Sequence, residues 1–412
     1  MDTKELIYDW NATEGVGEGT PPTTVMLDDE TLRDGLQSPS VIDPPIEDKK
    51  KILHLMDSLG IDTADVGLPG AGPRAEADVE FLCREIVDAG LKIKANCAAR
   101  TVIRDIEPIV RISERTGLPI EACLFIGSSP IRQYAEGWDE DFLVTQSAEG
   151  INYAVGAGLP VMYVTEDTSR ARPETVRRLY GEAVRLGVQR VCVTDTVGHA
   201  TPSGAMALIS YVREILDEAG GQDVGIDWHG HRDRGMGLAN CIAAYRAGAT
   251  RVHGCGLGIG ERCGNAEMDL LLVNLKLLGW LDRDLTKLAD YCLAVSDATG
   301  VPIGKNYPVV GSDAFETATG VHAAAVIKAY RKGDAWLADR IYSGVAAGEF
   351  GFKQKIRVGP MSGRSNVSFW LEERGIEPTE ERVDRIFDAA KKTDRLMEDA
   401  EIFELLQNNP GR

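Results

Sequence analysis

Glycines recur along this chain at intervals that constrain its fold more than any other feature. A short β-rich run is followed by a turn, then by an amphipathic stretch of helical length. The stretches close at Gly60, Gly90, Gly117, Gly158, Gly187, Gly220, Gly248 and Gly279. A glycine just past an apolar-periodic run reads as a helix stop, because it takes the left-handed C-terminal conformation without a Cβ clash. The strand candidates are Thr23–Leu27, Thr63–Val66, Lys92–Asn96, Ile120–Phe125, Val161–Val164, Arg190–Val193, Gly225–Trp228 and Arg251–Gly254. In the first helix candidate, Pro45–Leu59, the residues Ile52, Leu55, Met56 and Leu59 fall at helical spacing. Alternation of strand and helix predicts a parallel sheet, and eight units are the number that closes into a (β/α)8 TIM barrel of the α/β class. An open doubly wound sheet is the alternative; the absence of GxGxxG after the first strand counts against it.

The repeat stops near Leu285. Residues 1–22 read as an N-terminal arm and 23–284 as the barrel. Residues 285–345 read as a linker subdomain with a glycine-rich break, and 346–412 as a helical C-terminal subdomain. The net charge of −19 is spread along the chain. It argues against nucleic acid or an anionic membrane as partner, while leaving room for small anions bound by local cations. The opening MDTKELIYDW has no apolar core of a signal peptide, and no apolar run approaches membrane-spanning length. The eight cysteines form no CxxC pair. Reduced thiols and a cytoplasmic location are the expectation.

Active sites of TIM barrels lie at the C-terminal ends of the strands. The seventh strand candidate ends in Trp228-His229-Gly230-His231-Arg232-Asp233. Residues two apart in a strand face the same way, so His229 and His231 can address one ion. The first strand leads into Arg33-Asp34-Gly35-Leu36-Gln37, where Asp34 supplies a hard carboxylate and Arg33 a fork of donors for an oxyanion. The eighth leads into a glycine-rich loop, Gly256 to Asn265, and Asn265 offers a carbonyl oxygen. Asp34, His229, His231 and Asn265 make a mixed nitrogen and oxygen set. Such a set suits a labile divalent ion (Mg, Mn, Zn or Fe(II)) with open positions, where it acts as a Lewis acid on a chelated 2-oxo acid. Cys255 and Cys263 are a weaker pair of candidate soft ligands.

Three segments, Arg33-Asp34-Gly35, His229-Gly230-His231 and Gly260-Glu261-Arg262-Cys263-Gly264-Asn265, resemble the DRE-TIM metallolyase superfamily. Within it the chain is similar to the Claisen-condensing synthases of 2-isopropylmalate, homocitrate and citramalate, from about residue 23 to about residue 370. The resemblance implies a condensation of acetyl-CoA with a 2-oxo acid. It implies Asp34, His229, His231 and Asn265 as metal ligands, and Arg33 as stabiliser of the oxyanion. Gln37, Arg100 and Thr196 fall on substrate-binding positions, and Glu166 on an active-site glutamate. Thr319-Gly320-Val321-His322 and Tyr342 match a His and Tyr that deprotonate the acyl-CoA methyl group from the partner subunit of a homodimer. Arg232, Cys123, Ala324 and Met361 depart from the family's usual residues, which moves the expected acid away from that of ordinary leucine synthesis. Gly67 to Pro69 and Ser128–Ser129 are candidates for shaping its pocket. A lyase of the same superfamily, cleaving 3-hydroxy-3-methylglutaryl-CoA or a similar acid, is one alternative, and a non-catalytic metal-binding barrel is another.

Overall fold

A computed structural model describes residues 6–12 and 25–407. Its contacts divide the chain into two units. The first comprises Met1–Arg283 with Asp290–Pro302, and the second Asp284–Ala289 with Ile303–Arg412.

The first unit is a closed parallel barrel. Its strands are β1 (Met26–Asp29), β2 (Thr63–Asp65), β3 (Lys94–Arg100), β4 (Glu121–Gly127), β5 (Val161–Glu166), β6 (Arg190–Asp195), β7 (Gly225–Gly230) and β8 (Arg251–Gly254). They pair in sequence order, and β8 returns to β1 with Met26 opposite Arg251 and Asp29 opposite Gly254. The expected TIM barrel is therefore present. Each expected helix stop carries a positive φ, from 64° at Gly90 to 108° at Gly248.

Two departures have physical causes. The expected strand Thr23–Leu27 starts on Thr23 and Thr24, which lie outside the described residues. The strand runs instead to Asp29, because its two carboxylates find hydrogen-bond donors inside the barrel. Asp28 accepts from Thr63 and from Asn96 Nδ2 (2.7 Å), and Asp29 from Thr31 Oγ1 (2.5 Å) and Tyr291 Oη (2.5 Å). The second is an extra helix, Pro130–Glu136, between β4 and the main crossover helix Glu140–Gly156. Ser129 caps it by accepting from the Arg132 amide, and proline sits in its first turn.

The second unit is mainly helical, as expected for the C-terminal region. Helices Gly320–Arg331, Ala335–Arg340, Arg364–Glu373, Glu380–Ala390 and Asp399–Gln407 accompany a short parallel pair of strands, Glu316–Thr317 with Lys355–Ile356. One of its apolar clusters centres on Trp370 with Val367, Val383 and Ile386, and a second on Val326, Ile327 and Phe369. No helix among the described residues is long and apolar enough to cross a membrane.

Candidate active site

A cavity of about 370 Å3 opens among the strand ends of the barrel. Seven of the candidate catalytic, substrate and metal residues line it, Arg33, Asp34, Gln37, Glu166, Thr196, His229 and His231, together with Leu68 from the pocket-shaping segment and Cys123. His229 is the penultimate residue of β7, and the backbone then brings Asn265 alongside. His231 and Asn265 form an antiparallel bridge, and the Arg232 amide donates to Gly264 O (3.0 Å). The glycines of this loop are required by space. A Cβ on Gly260 would lie 2.2 Å from Asn265 Nδ2 and 2.9 Å from Asp34 Oδ1, and one on Gly264 would lie 1.8 Å from Gly258 O.

Candidate ligand atoms of Asp34, His229 and His231 lie within 4.8 Å of one another, all three residues buried. Asn265 donates from Nδ2 to Asp34 Oδ1 (2.7 Å), which leaves its Oδ1 buried without a hydrogen-bond partner. His231 Nδ1 is likewise buried and unpartnered. Orphaned buried lone pairs of this kind are costly in a folded protein unless something else completes them. Burial, then the neighbouring charge of His229, pushes the His231 imidazole down to about 4, so it is a neutral donor at pH 7. The donor chemistry fits a divalent cation.

Around this set runs a buried ionic network. Arg33 reaches three carboxylates: Glu30 (2.9 Å), Asp34 (2.8 Å) and Asp65 (2.7 Å). Burial works against charge on Asp34, but Arg33 and His229 outweigh it and hold its carboxyl below the usual range. Glu30 also faces His229 Nδ1 (3.0 Å) and bonds His253 Nδ1 (2.7 Å). His253 in turn meets Asp227 Oδ2 through Nε2 (2.9 Å). Burial would discharge His253, yet the charge of Asp28 and the bonds to Asp227 and Glu30 push it up to about 10. On the other side, Thr196 Oγ1 accepts from the Asp167 amide (2.8 Å). Glu166 sits 4.0 Å from Arg132, and burial raises its carboxyl above the usual value against that arginine's pull.

The remaining candidates lie elsewhere. Arg100, at the end of β3, does not line the cavity; it pairs with Asp105 (2.6 and 3.1 Å). Ser128 and Ser129 are turned to hydrogen bonds with Glu166 O and Asp167 Oδ2. His322 and Tyr342 belong to the second unit, where their rings stack with centroids 4.3 Å apart. Both are exposed.

Residues 24–294 match the HMGL-like family. The chain belongs to that family. Homocitrate synthase AksA of Methanopyrus kandleri is 32% identical over 402 residues, which cover 96% of this chain and 95% of the relative. A 2-isopropylmalate synthase of Sulfurisphaera tokodaii is 30% identical over 373 residues, 89% of this chain and 90% of the relative. The crystal structure of an HMG-CoA lyase from Brucella melitensis superposes with a TM-score of 0.54 at 18% identity, over 67% of this chain and 98% of the lyase, a likeness of fold.

In this HMGL-like barrel, sequence reading overlooked Glu30, Asp65 and His253, which also line the cavity. A signal existed. Asp28 and Glu30, Asp227 and His229, and Arg251 and His253 each stand two apart on strands whose alternate positions face the interior. Arg232, one of the departures from the family pattern, has a structural use. It donates to Cys263 O (2.8 Å) and pairs with Glu267, tying down the loop that carries Asn265.

Proposed function

We propose that this chain is an acyltransferase that joins acetyl-CoA to a 2-oxo acid and releases CoA. One observation carries the choice of synthase over lyase. The homocitrate synthase relative matches 96% of the chain, through both units, whereas the lyase structure is nearly spent after 67% of it. A non-catalytic barrel is disfavoured by the unpartnered buried His231 Nδ1 and Asn265 Oδ1, which a purely structural core would have paired.

Asp34, His229 and His231 would hold a divalent ion, with Asn265 completing the set. When bound, the ion supplies Lewis acidity toward the ketone and carboxylate of the acid. Glu30, 3.0 Å from His229 Nδ1, would orient that ring. Thr196, fixed by the Asp167 amide, and Gln37 receive the acid's carboxylate. His322 and Tyr342, supplied across a homodimer and aided by Glu166, take a proton from the acetyl methyl group. The resulting carbanion forms the new carbon–carbon bond at the ketone carbon. Arg33 stabilises the oxygen as negative charge develops on it. Water then cleaves the thioester, giving a 2-substituted malate or a homocitrate-like triacid and free CoA thiol.

The test is incubation with acetyl-CoA, a divalent metal and a panel of 2-oxo acids, following free thiol. Acid-dependent thiol release is expected. Cleavage of a 3-hydroxyacyl-CoA, with no release from acetyl-CoA by any acid, would overturn the reading in favour of a lyase.

A further inference from the structure

The two arcs of the barrel mouth differ in chemistry. The β7, β8 and β1 ends carry His229, His231, Asn265 and Asp34. The neighbouring strands β3 to β6 present Ala98, Cys123, Phe125, Met162, Val164, Cys192 and Thr194 to the same cavity, and the Thr194 hydroxyl is already donated to Thr165 O (2.7 Å). The pairs Cys123 and Phe125, and Met162 and Val164, stand two apart, so each pair shares the inward face of its strand. Register aligns the layers: Ala98 lies opposite Cys123, Cys123 opposite Met162, and Val164 opposite Cys192. Cys123, Met162 and Cys192 form one buried cluster, with Val164 packed on it. Burial pushes both thiols well above their ordinary range, so they behave as small apolar groups.

Charge on the rest of the lining is committed. Arg33 is engaged by Glu30, Asp34 and Asp65. Arg262 is engaged by Asp233 and by Thr196 O. His253 lies between Glu30 and Asp227. A carboxylate placed against β3 to β6 would meet sulfur, hydrocarbon and the committed Thr194 hydroxyl, and no cation, with the acidic Asp65 and Glu166 also lining the cavity. A buried charge without a partner is strongly disfavoured.

We propose that the acid accepted here is a monocarboxylic 2-oxo acid with an apolar side chain, lying along the β3 to β6 arc, and that Met162 and Val164 set its length. The proposal rests on the acyltransferase reading. It excludes 2-oxo dicarboxylic acids as the preferred partner, although the homocitrate synthase relative matches the greater share of the chain.

The experiment compares kcat/KM for pyruvate, 2-oxobutanoate, 3-methyl-2-oxobutanoate and 4-methyl-2-oxopentanoate with that for oxaloacetate and 2-oxoglutarate. In parallel, calorimetry measures binding of each acid to the Mn-loaded protein. The best apolar acid is expected to exceed both dicarboxylic acids by at least about tenfold in each measurement, given the discrimination that apolar pockets achieve. Two variants locate the effect. Val164→Ala is expected to raise the ratio of 4-methyl-2-oxopentanoate to pyruvate by about tenfold. Met162→Lys is expected to shift preference toward 2-oxoglutarate. If Met162→Lys does not fold, Val164→Ala and the wild-type panel still decide. A dicarboxylic acid that equals or surpasses the apolar acids overturns the proposal and leaves the acyltransferase intact. Absence of thiol release with every acid overturns the acyltransferase, while the order of binding still judges the side-chain assignment.

Discussion

In the barrel, His229, His231 and His253 are 8%, 4% and 2% exposed, set among Glu30, Asp34 and Asp227. In the second unit, His322 lies on the surface against the ring of Tyr342. The contrast separates two ways of holding a polar group. The barrel groups are oriented by folding itself: burial presses most polar atoms to find partners, and those partners fix rotamer and charge, leaving His231 Nδ1 and Asn265 Oδ1 unpaired where an ion would sit. His322 and Tyr342 receive no such constraint from a buried ionic shell. In the proposed reaction, their placement over a substrate would come from assembly or binding. Damage in the barrel should therefore appear in ion affinity and chemistry together, and damage at His322 in chemistry alone.

The strongest way to break this contrast is His229→Ala. Metal-dependent turnover should fall by about 10³-fold or more, since an ion contributes several kcal/mol to the transition state. Ion affinity, measured by calorimetry with Mn, should fall with it; unchanged turnover would refute the assignment of the barrel site.

Next is His322→Ala, expected to lower kcat by about 10²-fold or more, the scale of a general base, with ion affinity unaltered. Mixing equal amounts of His322→Ala and His229→Ala chains should restore roughly a quarter of wild-type activity if each site is built across a symmetric dimer. No recovery after subunit exchange would place both residues in a site made by one chain.

Glu30→Gln keeps the shape of the side chain but weakens its hold on His229. Ion affinity should drop about 10- to 100-fold, the usual cost of losing such a supporting contact. Affinity within twofold of wild type would show that His229 needs no support from Glu30.

A smaller effect should appear in stability. Asp29 is fully buried, and burial raises its carboxyl from 3.8 to about 7 against hydrogen bonds from Thr31 and Tyr291. Because the folded value lies above the unfolded one, its contribution is complete below about pH 4 and is lost as pH rises through 7. Asp29→Asn, which cannot ionise, should remove that decline, on the order of a few kcal/mol, read from urea midpoints across this window. An unchanged slope would show that Asp29 ionises alike in both states.

Much of this is legible in the sequence. The barrel followed from glycines such as Gly90 and Gly117, because a helix that must turn back to a parallel strand needs a sharp stop. His229 and His231 announced themselves by spacing, and Asp34 by its place after β1. Other parts were hidden for identifiable reasons. Asp28 and Asp29 fall outside the strand candidate Thr23–Leu27 because carboxylates are rarely strand residues; only closure of the barrel brings Asn96, Thr63 and Tyr291 to meet them. Glu30 and His253 are isolated in sequence, 223 residues apart, and become a pair through the β1 and β8 seam. Arg100 shows the converse. Its place at a strand end suited a substrate contact, but Asp105, five residues on, competes for the guanidinium locally.

The cysteines have a practical consequence. Seven of the eight are buried, and only Cys263 is exposed. A coloured disulfide reagent should therefore count one equivalent per folded chain and eight per unfolded chain. The protein carries its own gauge of opening, read on the same instrument that detects released CoA. Any thiol assay of the enzyme will start from a fixed offset, and growth of that offset with time will report loss of the fold.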